Sequence, residues 1–171
     1  MQRLLARSLT TLSVALTAMV FPGLTSSVAA AEAIELHKGD NLVFIGGALA
    51  EREQYFGHIE AQIHALHPEL NLTLRNQGFT AEEVRFRPRS LDFGEPDNHL
   101  TLVRADVIFA FFGFAESFHG EAGVATFEQE LRDFLAHTAK QNYSGKGAPR
   151  VVLCSPIAHE DLNNPNLPDG S

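Results

Sequence analysis

The sequence is poor in cysteine, tryptophan and positive charge, and two of these shortages exclude classes of protein. A single cysteine, Cys154, forms neither an internal disulfide nor, by itself, a thiolate zinc site. Thirteen Lys and Arg residues stand against 21 Asp and Glu, a formal charge of -8, which argues against a nucleic-acid partner because phosphates attract basic surfaces. With 44% hydrophobic residues among 171, the composition predicts one acidic globular domain.

The longest apolar run lies near the N-terminus. Two arginines precede an uncharged, mostly apolar stretch from Leu9 to Leu24, and small residues follow as far as Ala31. This order predicts a secretory signal peptide over residues 1–31, cleaved near Ala31, and therefore an exported protein without a membrane span after cleavage. A membrane anchor is the alternative, but Pro22 interrupts a run shorter than the roughly 20 residues of a spanning helix. Cleavage would leave 140 residues with a formal charge of -10.

Beyond residue 39, strand-like and helix-like patterns alternate. This alternation predicts an α/β fold with a parallel sheet and right-handed crossovers. Thr80 and Glu83 have the spacing of a capping box, which indicates a short helical turn. Residues 158–171 carry no periodicity and are interpreted as an irregular tail. The predicted strands are Asn41–Ile45, Leu70–Leu74 (nearer an edge), Asp106–Phe112 and Val151–Cys154; the predicted helices are Leu49–Leu66, Asn98–Arg104 and Val124–Gln141.

Functional groups in a parallel sheet of this kind lie beyond the carboxyl ends of the strands. Three segments at those ends, Phe44–Leu49, Asn76–Phe79 and Phe112–Glu116, resemble the first three sequence blocks of the SGNH (GDSL-type) hydrolases, in the same order. The resemblance covers about Gly39 to Pro156 and is greatest to an exported, planctomycete-like branch. It implies a flavodoxin-like three-layer α/β/α fold over residues 39–157, continuing into a carboxyl-terminal part missing from this sequence.

The members of this family are esterases, lipases and carbohydrate deacetylases, so the resemblance implies acyl-ester or carbohydrate-ester hydrolysis. It implies a serine nucleophile in the first block, and an oxyanion hole built from that serine's N–H, a glycine N–H and an asparagine side chain. The nucleophile position is Ala48, the glycine position is matched by Gly78, and the asparagine position is Ala115. The Asp-x-x-His block of the family does not occur. A methyl group cannot attack a carbonyl, so we expect no intact catalytic set and little or no hydrolysis.

Other residues near the strand ends offer weaker candidates. The hydroxyls of Thr80, Ser117 and Ser155 are better explained as caps and turns than as replacement nucleophiles. Glu116 flanks the site and, with Gly78, is a candidate binding residue.

The arginines of the turn Arg85–Arg89 either line an anion- or sugar-binding mouth or are solvated. The alternative function is therefore a non-catalytic module that binds a glycan or peptide in the strand-end crevice. No cofactor or metal is expected, and the partner expected is a small-molecule or glycan ester.

Overall fold

The four apolar runs form one sheet in which all strands are parallel. The computed structural model describes residues 33–88 and 93–157, so the predicted signal peptide and the tail 158–171 lie outside the described residues. The strands pair in the order β2-β1-β3-β4, as in the first four strands of a flavodoxin-like sheet. The predicted parallel sheet is confirmed. Its strands are β1 (Asn41–Gly46), β2 (Thr73–Asn76), β3 (Val107–Phe111) and β4 (Arg150–Leu153).

The two central strands, β1 and β3, are apolar on both faces because helices cover both sides of the sheet. One face packs against α1 (Ala48–Phe56) and α2 (His58–Leu66), with Phe44 at its centre. The other packs against α3 (Pro96–Leu102) and α4 (Val124–Thr138), around Ile108. The result is the predicted three-layer α/β/α architecture. Within the described ranges, no helix is long and apolar enough to cross a bilayer.

The prediction of one helix over Leu49–Leu66 is wrong. Gly57 adopts a left-handed backbone with φ +63° and ends α1, donating its N–H to the carbonyl of Glu53 at 2.9 Å. The Glu53 side chain then accepts the N–H of Ile59 at 2.9 Å, at the start of α2. An apolar spacing of three and four residues persists across a break of this kind, which is why periodicity alone did not reveal it.

Two further expectations need correction. No helix begins at Thr80 within the described segment that precedes Pro88: Ala81 has φ +62°, and the Thr80 hydroxyl donates to the Glu51 carboxylate instead of capping a helix. Strand β2 begins at Thr73, because residues Pro68–Leu70 form a 3₁₀ turn. As the sequence predicted, β2 is an edge strand.

At the amino ends of the strands, the buried carboxylate of Asp106 joins β1 to the loop before β4. Its Oδ2 accepts the N–H of Asn41 at 2.9 Å and lies 3.0 Å from Nζ of Lys146. Burial by itself would raise the pKa of Asp106, but the Asn41 N–H and the Lys146 ammonium outweigh that effect and lower it. This end of the sheet is therefore held together by charge-assisted hydrogen bonds, and the opposite end is left for function.

Candidate functional site

The ends of β1 and β3 meet at the turn that leads into α1. Gly46 has φ +110°, and a Cβ at this position would collide with the carbonyl of Phe111. The N–H of Gly47 donates to that same carbonyl at 3.0 Å. Ala48 is the next residue and the first of α1, so the position that the resemblance assigns to a nucleophile lies at the carboxyl edge of the sheet with only a methyl group.

Gly78 lies against the first turn of α1. A Cβ at this position would come within 2.6 Å of the Ala50 Cβ, so only glycine allows the approach. Its N–H donates to Oδ1 of Asn76 at 2.8 Å, and Nδ2 of Asn76 donates to the Ala50 carbonyl at 2.6 Å. The structure places Gly78 beside the helix that Ala48 opens. An oxyanion would have to compete with Asn76 for the N–H of Gly78. The role of Gly78 in an oxyanion hole therefore stays a prediction.

The carboxylate of Glu116 is buried and faces backbone donors. Oε2 accepts the N–H of Gly113 at 2.8 Å, and Oε1 accepts the N–H of Val84 at 2.9 Å. Glu116 thereby ties the turn after β3 to the segment after β2. Ala115, at the position that the resemblance assigns to an asparagine, supplies no side-chain hydrogen-bond donor. Whether Glu116 also touches a ligand stays a prediction.

The three hydroxyls considered from the sequence are not brought together. Thr80 donates to Glu51, the Ser117 hydroxyl donates to the Phe114 carbonyl at 2.6 Å, and Ser155 is exposed after β4. Among the described residues, neither the Thr80 nor the Ser117 hydroxyl bonds to a histidine, the usual general base for such a nucleophile. The part of the chain that the structure describes also holds no cluster of three His, Cys, Asp or Glu side chains placed to bind a metal ion.

A cleft of about 1370 Å³ opens beside this edge, between α3, α4 and residues 76–87. Gly78 lines it, but neither Ala48 nor Ala115 does. Two arginines of the turn form part of its wall: Arg87 donates to Glu82 at 2.8 Å and lies 4.9 Å from the ring centroid of Phe112. Arg85 lies 4.0 Å from Asp133. The third, Arg89, lies outside the described residues.

Sequence reasoning missed a hydrogen-bonded chain on this cleft. The Tyr143 hydroxyl donates to Oδ1 of Asp97 at 2.5 Å, and Nε2 of His137 lies 2.7 Å from Oδ2 of the same carboxylate. Burial, followed by the Asp97 carboxylate, raises the pKa of Tyr143. His137 and Tyr143 lie 40 and 46 positions after Asp97 in the chain. Asp97 belongs to α3, His137 to α4 and Tyr143 to the loop after α4. No local spacing marks them, because only the packing of α3 on α4 brings them together.

Comparison with known proteins identifies the fold. No protein-family model matches the sequence, and no curated protein matches it significantly. A variant of the acetyl xylan esterase Axe2 from Geobacillus stearothermophilus superposes with a TM-score of 0.51 at 15% identity, over 77% of this chain and 66% of that one. A catalytic mutant of the same enzyme gives a TM-score of 0.51 at 16% identity, over 70% and 61%. The α/β hydrolase LAE5, from the metagenome of Lake Arreo, gives 0.50 at 20% identity, over 69% and 61%.

The fold is esterase-like. The chain spans less than two thirds of the length of each of these enzymes, and the identities are low enough that the likeness concerns the fold alone. The expected α/β fold is therefore confirmed, whereas the reaction has to be argued from the site.

Proposed function

We propose that this chain is an exported SGNH (GDSL-type) relative of the ester hydrolases in which acyl-ester hydrolysis is impaired. The observation that carries the proposal is Ala48, the first residue of α1, at the turn where β1 ends. The esterase-like fold supports the hydrolase ancestry, and the three sequence blocks support the SGNH subfamily. The partner implied is a small-molecule or glycan ester.

Two chemical deficits account for the impairment. Ala48 supplies no oxygen to attack an acyl carbon, so no acyl-enzyme forms at this position. Ala115 supplies no amide to stabilise the tetrahedral oxyanion, and the loss of one such donor costs about 10²–10³ in rate. Two donors of the family pattern remain, the backbone N–H of Ala48 and the N–H of Gly78, which Asn76 already engages.

The experiment measures hydrolysis of p-nitrophenyl acetate together with covalent labelling by a fluorophosphonate probe. We expect the wild-type chain to release p-nitrophenol no faster than a variant that lacks the three edge hydroxyls, Thr80→Val, Ser117→Ala and Ser155→Ala, and to take up no probe. Turnover above that matched control, with an adduct mapped to a serine or threonine, would contradict the proposal. Ala48→Ser tests the position itself, because probe uptake by this variant alone would identify it as the vacant nucleophile site.

The alternative is a module that binds an acylated glycan or peptide without cleaving it. It is favoured by a cavity of about 340 Å³ bordered by Glu116, Glu83 and His119, next to the end of β3. His119 Nε2 and Glu83 Oε1 lie 3.5 Å apart there and offer a donor and an acceptor to a ligand. Saturable binding of an acetylated xylo-oligosaccharide that is recovered uncleaved, and that His119→Ala abolishes, would favour this alternative.

A further inference from the structure

The large cleft on the α3–α4 face has features that neither proposal above uses. Its volume of about 1370 Å³ exceeds the usual 300–1,000 Å³ of a small-molecule pocket, so it accommodates an extended ligand. It is lined by residues of α3 and α4 and by residues that follow β2, but not by Ala48. Its occupant therefore need not be the ester considered above.

The charges that line the cleft are unbalanced. Among the described lining residues, five carboxylates accompany two guanidinium groups, a formal excess of three negative charges with the histidines neutral. Both guanidinium groups have carboxylate neighbours, Arg87 at Glu82 and Arg85 at Asp133. The three other carboxylates have no arginine or lysine partner within 4.0 Å among the described residues: Glu95, Asp97 and Glu130.

The carboxylate of Asp97 is held in one orientation by two neighbouring side chains. The Tyr143 hydroxyl and the His137 ring hold both of its oxygens, and its side chain remains 41% exposed to the cleft side of α3. The tyrosine donor carries no positive charge, so it positions the carboxylate without neutralising it, and His137 leaves the charge in place when its ring is neutral. A charge held in one geometry before binding attracts a counter-charge at little further entropic cost.

An uncharged residue of the cleft wall also suits a ligand that carries N–H groups. Thr138, on this wall, is 1% exposed, and its hydroxyl makes no hydrogen bond to any described residue. Buried hydroxyls normally have a partner, so this one offers an acceptor to an N–H group from outside the chain.

We propose that the cleft binds an extended organic cation, an aliphatic ligand with two or more protonated amino groups. Asp97 is the principal anchor, with Glu95 and Glu130 as further anionic contacts and the Thr138 hydroxyl as an acceptor for a ligand N–H. The ester-hydrolase proposal requires none of these residues, so each proposal stands or fails alone.

The test is calorimetric titration of the full chain with spermidine, with triethylene glycol as an uncharged probe of similar length. We expect spermidine to bind with a Kd below about 1 mM and triethylene glycol not to bind. Asp97→Asn keeps the shape of the side chain and removes the charge, so it should weaken spermidine binding about threefold to fivefold, the effect of one partly exposed charge. The matched control is Glu128→Gln, which removes a negative charge from α4 away from the cleft and should leave Kd unchanged.

Two further variants keep the test decisive if Asp97→Asn disturbs folding. The double variant Glu95→Gln/Glu130→Gln touches neither Tyr143 nor His137 and should weaken binding by a similar factor. Thr138→Val, which keeps the side-chain shape, should weaken it as well. Equal affinity for triethylene glycol, equal weakening by Glu128→Gln, or no binding of spermidine at millimolar concentration would overturn the proposal.

Discussion

The carboxylate of Glu116 accepts the N–H of Gly113, three residues earlier in the chain, at 2.8 Å. Its other oxygen accepts the N–H of Val84, on a segment 32 residues away. A single buried side chain thus fixes the turn after β3 to the segment after β2, and both border the candidate site. This relationship explains why an acidic residue occurs at a buried position in that turn.

Glu116→Gln should destabilise the protein. The amide has one carbonyl oxygen and one NH₂ group, so one of the two backbone N–H groups would face a donor and lose its hydrogen bond. Leaving a buried donor unsatisfied costs about 1–3 kcal/mol, which urea unfolding would show as a lower midpoint at an unchanged slope. Glu128→Gln, an exposed change on α4, is the control and should leave the midpoint nearly unchanged. An equal midpoint for both variants would show that Glu116 is not a structural acceptor.

Asp106 predicts how stability depends on acid pH. Its pKa is lowered in the fold, so it contributes stability that is fully present above the unfolded value near 3.8 and is lost as pH falls through the lower folded value. Urea unfolding from pH 5 down to pH 2 should therefore show a fall in stability that Asp106→Asn reduces. Lys146→Met should also reduce it, because it removes one of the groups that lower the pKa. A pH dependence unchanged in both variants would contradict the assignment.

Tyr143 predicts behaviour at alkaline pH. Its pKa is raised in the fold, chiefly by burial and then by Asp97, so its stabilising effect is complete below the unfolded value near 10 and is lost as pH rises above it. The chain has two tyrosines and no tryptophan, so phenolate absorbance near 295 nm reports on Tyr55 and Tyr143 alone. Tyr143→Phe should remove the part of this absorbance that appears only well above pH 10. A late rise in absorbance that persists unchanged in Tyr143→Phe would contradict the prediction.

The sequence predicted the parts of the fold that depend on local pattern. The continuous apolar runs of β1 and β3 identified the central strands, because burial on both faces leaves no polar position to misread. The helix break at Gly57 was not predicted, because the apolar spacing of three and four residues continues across it. For β2, the alternating run Leu70–Leu74 suggested a strand that begins three residues earlier than it does, because Leu70, the first apolar residue of the run, belongs to a 3₁₀ turn.

The site was predictable only where adjacent residues define it. The strand-end glycines follow directly from their strands, so the positions of Ala48 and Gly78 could be predicted. The chain from Tyr143 through Asp97 to His137 joins three elements whose relative placement is set by the packing of α3 and α4 on the sheet, and single-sequence pattern carries no information about it. The sequence suggested Glu116 only as a candidate binding residue, whereas its two backbone partners show a structural role that only the fold reveals.

The variant Thr138→Val should change protein stability and spermidine binding in opposite directions. Its buried hydroxyl lacks a partner among the described residues, and removing such a group while keeping the side-chain shape relieves a desolvation cost of about 1–3 kcal/mol. Thr138→Val should therefore raise the unfolding midpoint, whereas Thr126→Val, at an exposed position of the same helix, should leave it nearly unchanged. If the same Thr138→Val variant also binds spermidine more weakly, the unsatisfied hydroxyl is retained at the expense of stability because a ligand uses it. A lower midpoint for Thr138→Val would mean that the hydroxyl already has a partner in the free protein, and the argument that it awaits a ligand would fail.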